Sequence, residues 1–216
     1  MKTLIFDYDG TLHDCLKIYQ PAFLKMYEQL VVDGYAQAKK FTADEISQWL
    51  GMTAGEMWES FMPALSAKEK QKYSRMIGQE MDRLIAEQKA ELYPESLAVL
   101  RELKDAGYHL IFLSNCRHDY MEAHKAQFGL EDYFTAFYCA EDFGWQPKYE
   151  IFKTISKEYP GEFVAIGDRY HDLALAKENE LPSVGCLYGY GRAGELSAAT
   201  AQISSLTELS AALEKL

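Results

Sequence analysis

The chain has 216 residues, of which 48% are hydrophobic and 25% charged, a composition typical of a globular protein with room for one core domain and a smaller attached domain. The formal net charge of −11 disfavours general nucleic-acid binding, and no apolar run approaches the roughly 20 residues that a membrane span needs. The four cysteines form no CxxC pair and the five histidines lack zinc-ligand spacing, so neither a disulfide framework nor a zinc site is expected.

The N-terminal region predicts one strand followed by a long helical segment. An apolar strand is expected at residues 3–6, which leaves no room for a signal peptide, so we expect a cytoplasmic protein. From about residue 14 to residue 91 the sequence has only helical signals. Thr42 and Glu45 have the spacing of a capping box at the start of the second helix. The predicted helices in this segment are residues 19–32, 42–51, 55–62 and 66–91.

After residue 91 the sequence alternates between helical and strand patterns. The predicted strands are residues 109–113, 136–139, 163–166 and 183–187, with a weaker strand at 202–204. The predicted helices are residues 95–106 and 118–128, each closed by a glycine, and others near residues 149, 172 and 206. Apolar strands that are each separated by a helix predict a parallel sheet covered on both faces. The expected fold class is therefore α/β, a Rossmann-like doubly wound parallel sheet.

The helical segment interrupts this alternation and predicts a second domain. We expect the core domain to combine residues 1–13 and 92–216, and residues 14–91 to form a small inserted α-helical domain. The large apolar side chains of the insertion are expected to form its own core rather than a binding site.

The strongest chemical signal is the sequence DYDGT, which directly follows the first predicted strand. Residues i and i+2 of an extended chain point the same way, so Asp7 and Asp9 place two carboxylates side by side at the carboxyl end of the strand. Gly10 then lets the chain turn away. Two like charges this close need a cation or must share a proton, so the pair predicts either a metal site or an acid/base couple.

This motif resembles the first motif, DxDGT, of the haloacid dehalogenase (HAD) superfamily of aspartyl-phosphate hydrolases. A helical domain inserted just after it resembles the helical-cap branch, which includes phosphoglycolate phosphatases. The resemblance covers essentially the whole chain and implies a HAD-like core with an α-helical cap. It also implies a Mg²⁺-dependent phosphatase that acts through an aspartyl-phosphate on a small metabolite. Phosphoglycolate, a sugar phosphate, a nucleoside monophosphate and pyrophosphate all stay open as substrates.

Two further family motifs can be matched in the middle of the chain. Ser114 follows a predicted strand and precedes Asn115, and a hydroxyl there can donate to a phosphoryl oxygen. The lysine motif of the family has two forms. The form KPxP would align Gln146 with the lysine, whereas the form KxE before two apolar residues matches Lys148. We therefore predict Lys148 as the motif lysine.

The last motif follows the strand predicted at residues 163–166. Asp168 at the strand end can reach the same cleft as Asp7, and Asp172 lies one helical turn further on. The resemblance implies that Mg²⁺ is held by Asp7, Asp168 and the backbone carbonyl of Asp9, with Asp172 acting directly or through water.

The resemblance also implies roles in catalysis. Asp7 is the expected nucleophile, Asp9 the acid that later acts as a base, and Lys148 the cation that offsets the charge of nucleophile and phosphate. The expected phosphate-binding residues are Thr11, Ser114, Asn115 and Lys148.

Other functions share this framework. Asp9 disfavours a dehalogenase, which needs no acid two residues after its nucleophile, and no lysine of the helical segment marks a phosphonatase. A phosphomutase uses the same acid/base aspartate and stays open. A catalytically weak phosphate-binding or regulatory protein also stays open, because Gln146 departs from one form of the lysine motif. The expected partner is a small phosphorylated metabolite, not a nucleic acid or a membrane; the sequence predicts no oligomeric state.

Overall fold

A computed structural model describes residues 2–159 and 161–216 of the chain. These residues form two compact units. One unit combines Met1–Asp14 with Leu92–Leu216, and the other comprises Cys15–Glu91. We call them the core unit and the helical unit.

The core unit is built on a six-stranded sheet in the order β3-β2-β1-β4-β5-β6. Its strands are β1 (Lys2–Phe6), β2 (His109–Ser114), β3 (Ala136–Cys139), β4 (Glu162–Gly167), β5 (Ser183–Cys186) and β6 (Ala201–Ile203). All five strand pairs are parallel. The chain leaves β1 towards β2 and β3, then returns to the other side of β1 to add β4, β5 and β6. The carboxyl ends of β1 and β4 therefore meet where the strand order reverses, the position at which such sheets bind ligands.

The helical unit consists of four helices. They are α1 (Leu16–Val32), α2 (Ala43–Ser47), α3 (Ala54–Phe61) and α4 (Ala67–Ala86). The predicted capping box of Thr42 and Glu45 is confirmed at the start of α2. Aromatic rings form the centre of this unit, where Phe23 stacks on Trp49 with ring centroids 5.0 Å apart. The apolar side chains of the insertion thus pack on one another, as a self-contained helical unit requires.

The prediction of a helix over residues 66–91 was wrong about its C-terminal end. Helix α4 ends at Ala86, and Gln88 has a φ of 58°. That left-handed conformation cannot continue a right-handed helix. The chain instead returns to the core unit, where Leu92 forms an isolated antiparallel bridge with His13.

Among the described residues of the core unit, five α-helices accompany the sheet. They are α5 (Ser96–Asp105), α6 (His118–Phe128), α7 (Lys148–Glu158), α8 (Tyr170–Glu178) and α9 (Leu209–Leu213). The strands between them are almost fully buried, with Leu110–Leu113 of β2 at 0% exposure. The predicted α/β class with a parallel, doubly wound sheet is confirmed. Among residues 2–159 and 161–216, no helix combines the length and the hydrophobicity needed to cross a bilayer.

Candidate active site

Two motif aspartates follow neighbouring strands at one edge of the sheet. In the register of β1 and β4, Phe6 lies opposite Ile166, so Asp7 and Asp168 come just beyond the paired ends. The backbone N–H of Asp7 donates to the carbonyl of Ile166 at 2.9 Å and extends this pairing by one residue. The fold therefore holds the two aspartates through backbone hydrogen bonding, before any side chain contributes.

Asp7, Asp168 and Asp172 form a buried cluster of carboxylates. One oxygen from each lies within 4.8 Å of the other two. Their exposures are 6%, 0% and 3%, so bulk water does not screen their charges. These are three of the residues that the sequence predicted as metal ligands, and the structure brings all three together.

Lys148 is the cation that faces this cluster. It is the first residue of α7, is 3% exposed, and its Nζ donates to Asp7 Oδ1 at 2.5 Å and to Asp172 Oδ1 at 2.7 Å. Gln146, two residues earlier, is exposed. Of the two positions that the sequence motif offered, the structure brings Lys148 and not Gln146 to the carboxylates.

The charges in the cluster shift the pKa of its members. Burial and the charge of Asp172 raise the pKa of Asp7 to about 6, and Lys148 lowers it only in part. Burial and the charges of Asp7 and Asp172 raise the pKa of Asp168 well above its ordinary value. Burial alone would lower the pKa of Lys148, but Asp172 and Asp7 raise it above its ordinary value. Lys148 is thus a permanent cation beside Asp7, whose raised pKa means that its carboxyl group resists ionisation.

The cluster has the donor set of a divalent cation site. Three buried carboxylates and one ammonium leave two negative charges uncompensated when all are ionised, which matches the charge of Mg²⁺. Carboxylate oxygens are the ligands that this hard cation prefers. The residues therefore fit the ion that the family resemblance implies.

Close backbone approach shapes the site around Asp168. Gly10 has a φ of 89°, and a side chain there would overlap the carboxylate of Asp168. The N–H of Tyr190 donates to Asp168 Oδ2 at 2.6 Å. Gly10 is therefore required both for its left-handed conformation and for the space that it leaves to the acidic group.

The predicted phosphate-binding residues lie around the same sheet edge. Thr11 is fully buried, and its Oγ1 lies 3.5 Å from Asp168 Oδ1. Ser114 is the last residue of β2, the strand beside β1, and is 2% exposed. Asn115 follows it and is half-buried. Their contacts with a phosphoryl group stay predictions.

Asp9 is fixed by a network that the sequence did not reveal. His13 Nδ1 and the hydroxyl of Tyr120 lie 2.7 Å and 2.8 Å from the same oxygen, Asp9 Oδ1. Burial raises the pKa of Asp9, but the hydrogen bond and charge of His13, with the hydroxyl of Tyr120, outweigh it and lower the pKa below its ordinary value. His13 had been assigned no role, and Tyr120 reaches Asp9 only because the fold brings α6 next to the DYDGT loop.

A second unpredicted group, Glu195, supports the last motif. Its Oε1 accepts hydrogen bonds from Arg169 Nε at 2.9 Å and from Tyr170 N at 2.7 Å, and its Oε2 accepts one from Arg192 N at 2.9 Å. The N–H of Arg169 in turn donates to Asp172 Oδ2 at 3.1 Å. Glu195 thereby orients the turn that carries Asp172.

Comparisons with known proteins agree with this geometry. The family model for haloacid dehalogenase-like hydrolases matches residues 1–179. The chain is 24% identical over 204 residues to a phosphoglycolate phosphatase from Vibrio vulnificus, covering 92% of this chain and 89% of that protein. It is 26% identical over 177 residues to the pyrophosphatase PpaX from Bacillus pumilus, covering 80% and 77% of the two chains. Its fold is similar to the crystal structure of a predicted phosphatase from Clostridium acetobutylicum, with a TM-score of 0.82, 22% identity and coverage of 100% and 99% of the two chains.

Proposed function

The chain belongs to the haloacid dehalogenase-like hydrolases and is a phosphatase, and from this premise we propose that it uses Mg²⁺ to hydrolyse a small phosphorylated metabolite through an aspartyl-phosphate on Asp7. One observation carries the proposal. Asp7 is buried with two other carboxylates, and a buried lysine donates to its Oδ1. That is an unfavourable arrangement for stability but a suitable one for a nucleophile that must meet an anionic phosphate.

In the first step the Asp7 carboxylate forms a bond to phosphorus while the bond from phosphorus to the leaving oxygen breaks. Because the pKa of Asp9 is lowered in the free site, we propose that Asp9 takes up a proton when the anionic substrate binds beside it. Asp9 then gives this proton to the leaving oxygen, so the product leaves as an alcohol or acid rather than as an oxyanion. In the second step Asp9, now ionised, takes a proton from water. The resulting hydroxide bonds to phosphorus while the bond between phosphorus and the Asp7 oxygen breaks, which releases inorganic phosphate and restores the Asp7 carboxylate.

Lys148 offsets the negative charge that accumulates when a phosphate meets Asp7. Its ammonium already contacts Asp7 and Asp172, so it needs no reorganisation during the reaction. Thr11, Ser114 and Asn115 are proposed to donate to the phosphoryl oxygens. These donors stabilise the charge that spreads over those oxygens in the transition state.

Asp7, Asp168 and Asp172, with the backbone carbonyl of Asp9, are proposed to hold Mg²⁺. The bound ion supplies positive charge that offsets the repulsion between nucleophile and phosphate. Asp7 and Asp168 directly follow the paired strands β1 and β4, and Asp172 lies on α8. The three buried carboxylates would therefore supply oxygen ligands at fixed positions with little access for water.

The substrate is proposed to be small and anionic. The relatives named above act on phosphoglycolate and, in PpaX, on pyrophosphate by their names, and both compounds are small phosphates. We propose that the helical unit selects the leaving group, as the resemblance to capped relatives implies. A cytoplasmic location is also proposed, since all four cysteines are buried and free.

The test is turnover of p-nitrophenyl phosphate and of a phosphorylated-metabolite panel, with Mg²⁺ and with EDTA. Asp7→Asn should lower kcat by about 10³-fold or more because the amide cannot act as the nucleophile. Asp105→Asn, at an exposed position of the core unit, is the matched control and should keep full activity. Rapid acid quenching of the native enzyme should trap a phosphoryl adduct that Asp7→Asn lacks, measured by mass spectrometry.

Two outcomes would contradict the proposal. Turnover that survives Asp7→Asn would exclude the covalent mechanism. The absence of turnover on every phosphate tested would favour a phosphate-binding protein.

A further inference from the structure

The acid/base residue Asp9 is held by one of its two carboxylate oxygens. Both His13 Nδ1 and the Tyr120 hydroxyl lie within hydrogen-bond distance of Oδ1, at 2.7 Å and 2.8 Å, and they lie 3.3 Å from each other. The side chain of Asp9 is 17% exposed, whereas Asp7 is 6% exposed. A carboxylate that is partly open to solvent would sample several rotamers unless donors fixed it.

We propose that His13 and Tyr120 are positioning residues that clamp Asp9 through Oδ1, so that Oδ2 is the oxygen that exchanges the proton with the leaving group and then with water. This inference rests on the proposed function and deepens it. The hydrogen bonds of His13 and Tyr120 go to Oδ1 of Asp9, so in this proposal the two residues act through Asp9.

The clamp is compatible with both protonation states of Asp9. A carboxylate only accepts hydrogen bonds, so with Asp9 ionised the His13 ring carries its proton on Nδ1 and the Tyr120 hydroxyl donates. When Asp9 carries a proton on Oδ2, Oδ1 is a carbonyl-type oxygen that still accepts from both donors. Asp9 can therefore give up and regain its proton without breaking the clamp or changing rotamer.

The two donors are themselves fixed by the surrounding core. His13 is fully buried, and its ring stacks on Tyr8 with centroids 5.1 Å apart and an interplanar angle of 12°. Tyr120 is 5% exposed, and its ring lies 4.3 Å from that of His124. His124 Nδ1 in turn lies 2.7 Å from the Tyr8 hydroxyl. These contacts link the DYDGT loop to α6, so the clamp is a rigid part of the core unit.

The alternative is that the network serves packing and stability only. The two possibilities differ in how a variant treats substrates with different leaving groups. A positioned acid matters for an alkyl phosphate, whose alkoxide leaves poorly without a proton, and matters little for p-nitrophenyl phosphate, whose phenolate leaves readily. A purely structural defect lowers turnover of both substrates in proportion.

The decisive variant is Tyr120→Phe, which removes the hydroxyl and keeps the ring. Its kcat/KM should fall about 10-fold for an alkyl phosphate, because a hydrogen bond that positions the acid is lost. For p-nitrophenyl phosphate kcat/KM should fall less than about 2-fold, because this leaving group hardly needs the acid. The kcat/KM value is the correct readout because it reports the formation of the phospho-enzyme and not its later hydrolysis. Tyr138→Phe, which removes a hydroxyl that donates to Glu158 at 2.6 Å in the same unit, is the matched control and should leave the ratio of the two kcat/KM values unchanged.

A second pair of variants keeps the test valid if Tyr120→Phe folds poorly. His13→Asn retains a donor close to the position of Nδ1, so the ratio of kcat/KM for the alkyl phosphate to kcat/KM for p-nitrophenyl phosphate should stay close to the native value. His13→Leu removes the donor and should lower this ratio. Equal losses on both substrates, or no loss on either, would overturn the clamp. Asp7→Asn in the same assays separates the clamp from the proposed function. If Asp7→Asn is inactive, the proposed function stands regardless of the results for the His13 and Tyr120 variants. If Asp7→Asn is active, the proposed function itself is wrong.

Discussion

Two carboxylates, one in each unit of the chain, are held in opposite ways. In the helical unit, Asp33 Oδ2 accepts from Lys72 at 2.5 Å and from Tyr73 at 2.6 Å, and its pKa is lowered to about 2 by those hydrogen bonds. At the edge of the core sheet, burial and Asp172 raise the pKa of Asp7 to about 6. The same side chain is stabilised in its charged form in one place and penalised in the other.

For Asp33 and Asp7 this difference separates a structural role from a proposed functional one, whereas Asp9 combines a lowered pKa with a proposed role in the reaction. A carboxylate whose pKa is lowered contributes stability through its charge, whereas one whose pKa is raised by buried neighbours lowers stability at neutral pH. Such a cost is typical of sites that await a charged ligand. The contrast predicts that the core cluster governs activity and metal binding, while the carboxylates of the helical unit govern stability alone.

Apart from the substitution of Asp7 itself, the largest expected effect is that of removing the charge of Lys148. Lys148→Gln should lower kcat/KM for p-nitrophenyl phosphate by about 10²- to 10³-fold, because one preorganised charge contact beside Asp7, the proposed nucleophile, is removed. Lys153→Gln is the matched control, since Lys153 lies on the same helix but is 58% exposed and pairs with Glu150 at the surface. Similar losses in the two variants would show that the buried position of Lys148 has no special role.

The next effect concerns metal binding, which should distinguish the carboxylate cluster of the core unit from the carboxylates of the helical unit. Saturating Mg²⁺, at about 100 times its Kd, should raise the free energy of unfolding by about 2.7 kcal/mol. Asp168→Asn should lose this increase, and without metal it should be more stable than the native chain because one of three crowded carboxylates is gone. Asp33→Asn, in the helical unit, should keep the full Mg²⁺ effect. Urea unfolding with Mg²⁺ and with EDTA measures both, and an unchanged Mg²⁺ response in Asp168→Asn would contradict the assigned ligand set.

Much of this site could be predicted from the sequence because it depends on local pattern. The helix predicted at residues 118–128 has those bounds in the structure, since Gly129 adopts the left-handed conformation that ends it. Asp7 and Asp168 follow apolar strands directly, and parallel strands bring their carboxyl ends to one edge. The sequence favours Lys148 over Gln146 only through one of the two forms of the family's lysine motif. The structure adds the physical reason, because Lys148 is buried at the start of α7 whereas Gln146 is exposed.

The parts that escaped prediction depend on distant contacts. Tyr120 lies 111 residues from Asp9 in sequence, and nothing in the sequence pattern of α6 indicates that its hydroxyl donates a hydrogen bond to Asp9. Glu195 belongs to a turn with no regular periodicity, yet it holds Arg169 and the start of α8. The end of α4 was missed because Glu87, Lys89 and their neighbours suit a helix locally, and only the φ of Gln88 reverses the chain.

The pH dependence of stability should run in opposite directions in the two regions. The pKa of Asp7 is raised from 3.8 to about 6, so between these values the folded chain binds more protons than the unfolded chain, and stability falls as pH rises. The loss should be about 3 kcal/mol from this group in EDTA, at roughly 1.4 kcal/mol per pKa unit. Asp7→Asn should lack this component, so its stability relative to the native chain should increase from pH 4 to pH 7. Urea unfolding at both pH values tests this, and parallel pH profiles for the two proteins would contradict it.

The smallest effect is expected in the helical unit at Glu80, which is buried but paired. It contacts Lys25, and Arg83 donates to its Oε1 at 2.6 Å; the hydrogen bonds from Arg83 and Lys25 lower its pKa from 4.5 to about 2. Stability from this group is therefore present above pH 4.5 and lost as pH falls towards 2.

Glu80→Gln should lower the free energy of unfolding by about 1 kcal/mol at pH 7, a discounted value because Lys25 and Arg83 are half-exposed and water screens the pairs. The difference from the native chain should shrink as pH falls through the same window, and activity should not change. Glu91→Gln, whose partner Lys17 lies 3.6 Å away at the surface, is the control and should change stability by no more than about 0.5 kcal/mol. If Glu80→Gln lowered kcat and left stability intact, the division between a stabilising helical unit and a reactive sheet edge would not hold, because a carboxylate of the helical unit would then take part in the chemistry.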